Sequence, residues 1–155
     1  MGTINTIRIL RPDDITQVLE LSYKAVVERG WADMEFNKIH FNQQVKQTIV
    51  YYRNKCFGMF KGDVLIGFCI AQLVPFVWTT NKKCYIELIH LDVNHRNAGY
   101  YQLLLNSVVS FCKRMNIKHI VTSNISFLLE PNDRINFFIK NGFQESEIKW
   151  ELVLD

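Results

Sequence analysis

Leu-Asp-Val-Asn-His-Arg-Asn-Ala-Gly-Tyr-Tyr-Gln-Leu-Leu-Leu, residues 91–105, is the stretch on which the reading of this chain turns. Cys84–Val93 reads as a long strand that runs into a short polar turn carrying Arg96 and Gly99. Tyr101, Leu104, Leu105, Val108, Phe111, Cys112 and Met115 then recur at helical spacing. Such a strand–turn–helix junction leaves the first backbone N–H groups of the helix without intrahelical partners. With the positive end of the helix dipole they make an anion site, above all for phosphate. Arg96 can pair with a phosphate, Gly99 lets backbone approach it closely, and the amides of residues 97–101 can point at it. The competing reading makes Gly99 a turn glycine and Arg96 a surface charge.

Working outward, Thr6–Leu10 reads as a strand. Pro12, Asp13 and Asp14 open a helix that Gly30 stops, with Ile15, Val18, Leu19, Ser22 and Val26 on one face. A second helix is expected over Met34–Tyr52. Strands are expected at Lys55–Phe60 and Val64–Leu73, joined by a tight turn at Lys61-Gly62-Asp63. After the central helix, Asn116 caps its end and His119–Ser123 reads as a buried strand. Asn132–Asn141 is a short helix stopped by Gly142, and two strands near Phe143–Ser146 and Trp150–Leu154 close the chain. The order β-α-α-β-β-β-α-β-α-β-β implies one α/β domain over residues 1–155, with a mixed, mostly antiparallel sheet covered by helices on both faces.

Composition narrows the function classes. The 155 residues suffice for one core, and 48% hydrophobic with 21% charged residues is ordinary for a globular protein. No apolar run approaches the roughly 20 residues of a membrane span. The N-terminus lacks the basic and apolar regions of a signal peptide, so a cytoplasmic protein is expected. The net charge of +3 is spread without a basic stripe, which argues against nucleic acid as a partner. Cys56, Cys69, Cys84 and Cys112 form no CxxC pair and no histidine has metal-ligand spacing. They read as reduced thiols packed in a core, with no metal site.

The element order and two motifs resemble the GCN5-related N-acetyltransferase (GNAT) superfamily over nearly the whole chain. Arg96-Asn97-Ala98-Gly99-Tyr100-Tyr101 matches the family pattern Arg/Gln-x-x-Gly-x-Gly/Ala at Arg96 and Gly99, and departs from it at Tyr101. Phe137-Phe138-Ile139-Lys140-Asn141-Gly142-Phe143 matches Phe-Tyr-Glu-Lys-x-Gly-Phe at both ends, and departs at Phe138, where the family carries Tyr. Trp31–Phe36 and the spacing from Glu87 to Arg96 are similar to compact phage and prophage acetyltransferases, which would place the protein in a host cytoplasm.

The resemblance implies acetyl-CoA as cofactor and direct transfer of acetyl to an amine in a ternary complex. It implies cofactor contacts from Leu91, Asp92, Val93, Arg96, Asn97, Ala98, Gly99, Tyr100, Tyr101, Asn124 and Phe138. Backbone N–H groups near Leu91–Val93 would hold the thioester carbonyl, and the pantetheine arm would lie between strands Cys84–Val93 and His119–Ser123. Glu87 is the candidate general base, its pKa raised by a half-dry cleft; a solvent-facing strand carboxylate is the equal alternative. His90 and Asp92 compete for the role. By strand alternation Glu87, Ile89, Leu91 and Val93 share one face and His90 and Asp92 the other, unless a bulge breaks the parity.

Trp31 and Glu35 would shape a pocket for a cationic amine, although Trp31 also suits a core. Phe138 cannot donate the proton that a family Tyr supplies to the departing thiolate. Tyr100, Tyr101, Ser123 or water would have to stand in, with Tyr101 also the first residue of the apolar stripe. A catalytically weak or inactive module that binds CoA or a protein is therefore the second reading, and a nucleic-acid-modifying variant the third. The acceptor, a small-molecule or protein amine, is not legible, and exposed C-terminal strands suit pairing into a homodimer.

Overall fold

The alternation of strand and helix signals resolves into one mixed sheet in the structure, a computed structural model that describes residues 5–30, 37–51, 53–75, 80–122 and 131–145. The strands are β1 (Asn5–Ile9), β2 (Asn54–Lys61), β3 (Val64–Pro75), β4 (Lys82–Leu91) and β5 (His119–Thr122). The helices are α1 (Ile15–Glu28), α2 (Lys38–Val50), α3 (Ala98–Arg114) and α4 (Pro131–Lys140). The sheet order is β1-β2-β3-β4-β5, with the first three pairings antiparallel and β4–β5 parallel. Phe143–Glu145 carry no strand, and the expected strand at Trp150–Leu154 lies outside the described residues.

Local chemistry explains the boundaries. Pro12–Asp14 forms a 3-10 turn before α1, and Asp14 closes it by accepting from the Arg11 amide at 2.7 Å. Arg8 donates twice to the same carboxylate, at 2.7 and 2.8 Å, and this pairing holds Asp14 below the usual carboxylate range. Gly30 ends the helix at φ 71°, a left-handed position glycine takes without penalty. Helix α2 starts later than its periodicity suggests, because the Asn37 side chain accepts from the His40 amide and caps it. The β2–β3 hairpin closes with Lys61 opposite Val64, leaving Gly62-Asp63 as the two-residue turn.

Each face of the sheet has its own core. On one, Tyr101, Leu104, Leu105, Val108 and Phe111 of α3 and Phe137 of α4 pack against Phe57, Met59, Cys84, Ile86, Ile89 and Leu91. On the other, Val18 and Leu21 of α1 bury against Cys56, Phe60, Leu65 and Phe68, with Val45 and Ile49 of α2 half-buried beside them. Every member of the predicted α3 stripe except Met115, which is exposed, lies inside.

Candidate active site

Strand β4 is where the two faces are set. Ile70 pairs with Leu88 but Ala71 pairs with Ile86, so Glu87 is one residue more than β3 can match and forms a bulge. The bulge reverses the alternation. Cys84 and Ile86 before it, and Ile89 and Leu91 after it, all point into the α3 core. The single face expected for Glu87, Ile89, Leu91 and Val93 is therefore not formed. Glu87 is exposed and opens instead into a groove of about 590 Å³ beside α2, lined also by Gln44, Gln47, Thr48, Asn54 and Gln72. Leu88 joins the α1 core, and His90 lies against the Phe68 ring at 5.9 Å.

The parallel β4–β5 ladder runs from Lys83↔His119 to Ile86↔Thr122. Beyond it, Leu88–Leu91 have no β5 partner among the described residues. Among the described residues, the β4 edge is therefore unpaired from beside the bulge toward the turn at residues 92–97.

That turn is held by side chains. Asp92 accepts from the Asn94 amide at 3.1 Å and from Lys24 at 3.2 Å. Burial opposes its ionisation, but these partners outweigh burial and hold its carboxyl below the usual range. The Asp92 amide itself donates to the Ile66 carbonyl at 2.8 Å, so it is not available to a thioester oxygen. Asn97 is the N-cap of α3, accepting from the Tyr100 amide at 3.0 Å. The Ala98 and Gly99 amides precede the first intrahelical donor, Tyr101 N to Asn97 O at 3.3 Å, and form the anion-directed end of the helix. A Cβ on Gly99 would come within 3.2 Å of the capping Asn97 oxygen, which accounts for glycine there.

Arg96 is turned inward. It donates through Nη2 to Glu28 at the end of α1 and to the Leu91 carbonyl at 3.0 Å. Beneath it lies His90, with no solvent exposure, its Nδ1 3.4 Å from Arg29 Nη1 and its Nε2 4.0 Å from Glu28 Oε1. Burial first, then the Arg29 and Arg96 guanidiniums, push the His90 pKa down to about 3, so the ring is neutral at physiological pH. Glu28 and Arg29 were not singled out by the sequence; they lie about sixty residues from His90 and Arg96, and no local spacing reports such a contact.

The remaining candidates are placed as follows. The Leu91 side chain is fully buried, and Val93 is exposed in the turn. The Tyr101 side chain is fully buried in the α3 core, which takes its ring out of the open turn, while Tyr100 is half-buried. Phe138 is half-buried and stacks edge-on against Phe137 at 6.2 Å and Phe143 at 5.5 Å. Gln102 and Asn141 exchange two amide hydrogen bonds, at 2.7 and 2.9 Å, and so tie the first turns of α3 to the end of α4. Trp31, Glu35, Ser123 and Asn124 lie outside the described residues.

All four cysteines are buried and unbridged. Burial pushes the Cys56 thiol up to about 12 and Cys69 well above its ordinary value, so neither is poised as a nucleophile. Among the described residues no group of three or more His, Cys, Asp or Glu could hold a metal ion, and no helix is long and apolar enough to cross a membrane.

Known proteins bear on this arrangement in three ways. A possible acetyltransferase from Clostridium difficile 630 superposes with a TM-score of 0.79 at 17% identity, over 98% of this chain and 99% of that one. A predicted acetyltransferase from Clostridium acetobutylicum, solved with acetyl-CoA, superposes at 0.75 and 17% identity, over 97% and 96% of the two chains. An aminoglycoside acetyltransferase from an uncultured soil metagenomic sample, solved with trehalose, superposes at 0.76 and 12% identity, over 97% of each chain. No curated protein matches the chain. The model of the acetyltransferase (GNAT) family matches residues 14–143, which take in the bulged strand, the capped turn and the Gly142-Phe143 step. The chain belongs to the GNAT acetyltransferase family.

Proposed function

We propose that this protein transfers acetyl from acetyl-CoA to an amine in a direct ternary complex. The observation that carries the reading is the bulge: it sets one carboxylate, Glu87, beside the place where the β4–β5 pairing of the described residues ends. The cofactor's part is an activated acetyl thioester with a thiolate leaving group. The chain's residues fit such a group: the Ala98 and Gly99 amides at the start of α3 would face an anion, no Cβ stands above them at Gly99, and the Leu88–Leu91 stretch, which has no β5 partner among the described residues, would offer backbone other than the Leu91 carbonyl to an extended arm. Asn97 holds the helix end in shape, and Arg96 braces the turn through Glu28 and Leu91.

Glu87 takes a proton from the incoming ammonium, directly or through a water, and so frees the nitrogen lone pair. Leu91, Val93, Tyr100, Asn124 and Phe138 complete the cofactor contacts, and Trp31 and Glu35 the acceptor contacts, as the family resemblance implies; the Tyr101 ring is buried in the α3 core and the Asp92 amide is held by Ile66, so neither joins them. The phage-type affinity and cytoplasmic location belong to the same reading. So does a dimer.

Melting with and without acetyl-CoA tests the reading. At 100 times the dissociation constant the ligand should add about 2.7 kcal/mol of stability, which for a domain of this size raises the melting temperature by roughly 5–10 °C. Glu87→Gln should keep that shift and lose about 10²-fold or more in CoA thiol release with amines. No shift at millimolar acetyl-CoA would overturn the proposal. A shift without thiol release from any amine would favour the second reading, a CoA-binding module without turnover, which Phe138 recommends.

A further inference from the structure

His90 holds a buried donor that the fold leaves unused. Its ring has no solvent exposure, and its Nδ1 lies 3.4 Å from Arg29 Nη1. A guanidinium only donates, so Nδ1 is the acceptor and the ring proton sits on Nε2. Among the described residues Nε2 has no hydrogen-bond partner; Glu28 Oε1 faces it from 4.0 Å, too far for a bond. A fully buried donor without an acceptor is costly. The charged groups around the ring are Lys24, Glu28 and Arg29 from α1 and its end, and Asp92 and Arg96 from the turn.

Arg96 is what keeps Glu28 from His90. The second carboxylate oxygen, Oε2, accepts from Arg96 Nη2, which also donates to the Leu91 carbonyl at 3.0 Å. One carboxylate thus stands between the turn and the buried ring and bonds only the turn. A second pattern lies close by. Arg96 is two residues before Ala98, where the anion-directed end of α3 begins. A phosphate held there offers the guanidinium a charged, bidentate acceptor. With Arg96 turned to it, Glu28 loses its cation and has only the short gap to His90 Nε2 to close. The buried donor is then satisfied, so phosphate binding and the Glu28–His90 contact favour each other.

We infer that Glu28 is a positioning residue with two alternative partners: with Arg96 on Glu28 the turn is braced, and with Arg96 on the cofactor's pyrophosphate Glu28 closes onto His90. The inference rests on the proposed acetyl transfer and goes beyond it. Glu28 ends α1 directly ahead of Trp31 and Glu35, so the exchange carries the state of the cofactor turn toward the proposed acceptor contacts.

The test reads the His90 ring in the full chain by proton–nitrogen correlation NMR. Without cofactor, the nitrogen shifts should report a bare Nδ1 and a protonated Nε2, with the Nε2 proton at the upfield position of a donor lacking a strong acceptor. Saturating acetyl-CoA should move that proton downfield, as a new bond to a carboxylate requires. Arg96→Met should show the downfield position with no cofactor present, because Glu28 is then released. Glu28→Met should abolish the movement. It should also bind acetyl-CoA about 2- to 5-fold more tightly by calorimetric titration, since the phosphate no longer competes with an ion pair for Arg96. A Glu28 that only braced the turn would leave the proton in place and give weaker binding on substitution. A proton unmoved by saturating acetyl-CoA, one already downfield without it as a trapped water would give, or weaker binding by Glu28→Met overturns the exchange and leaves acetyl transfer standing. Absence of acetyl-CoA stabilisation on melting overturns the transfer reading and the exchange with it.

Discussion

Phe138 lies edge-on between Phe137 and Phe143, so a tyrosine there would add a hydroxyl to a ring already held in place. If the departing thiolate lacks a proton donor, Phe138→Tyr should raise kcat by up to about 10² with acetyl-CoA affinity unchanged; an unchanged kcat would mean that water or another group supplies the proton. A second prediction concerns His90. Its folded pKa is about 3, whereas an imidazole in the unfolded chain titrates near 6.5. As pH falls below about 6.5 the unfolded chain takes up a proton that the folded chain refuses, so stability drops by up to about 1.4 kcal/mol per pH unit. Asp14 and Asp92, both lowered, add their own loss only below the ordinary carboxylate range, at 3.8. Denaturant-measured stability should therefore fall between pH 6.5 and 4.5 in the parent and stay nearly level in His90→Phe. Parallel slopes would remove His90 as the source. At this scale legibility was uneven. Tyr101 is buried, as expected of a residue that begins an apolar stripe, whereas Arg96 is a turn arginine whose partner sits 68 residues away, and sequence spacing reports nothing about such pairs.

Elements were more legible than residues. The α3 stripe, the Gly62-Asp63 hairpin and the Gly30 stop are all local: each depends on spacing or on one backbone conformation. Helix α2 was harder, since it buries no residue fully and its start is decided by the Asn37 cap rather than by a hydrophobic face. The β4 bulge was beyond reach for a different reason. It is a mismatch in count between two strands, so it exists only once β3 and β4 are paired. The start of α3 offers its own test. Gly99→Val would crowd the Asn97 oxygen that caps the helix and cover the amides beside it. Losing the cap costs about 1 kcal/mol of stability. Acetyl-CoA affinity by calorimetric titration should fall about tenfold or more; an unaltered dissociation constant would place the phosphate site elsewhere.

Across the whole molecule, the two cores are drawn from opposite sides of one sheet, and β4 serves both. With Glu87 left out, the strand from Cys84 to Leu91 is an ordinary alternating one: Cys84, Ile86, Ile89 and Leu91 would still face α3, and Leu88 and His90 would still face α1. The loss would also bring β4 and β3 to equal length across this stretch. Architecturally, then, Glu87 is a supernumerary letter, spliced into a word that is spelled correctly without it. A protein with that single codon deleted should fold, melt within about 4 °C of the parent and keep its acetyl-CoA shift, yet release CoA thiol about 10²-fold or more slowly. A collapse in melting temperature would show that the insertion is structural. If the deletion folds as expected, the scaffold is complete without Glu87, and that one inserted residue carries the proposed chemistry rather than the shape.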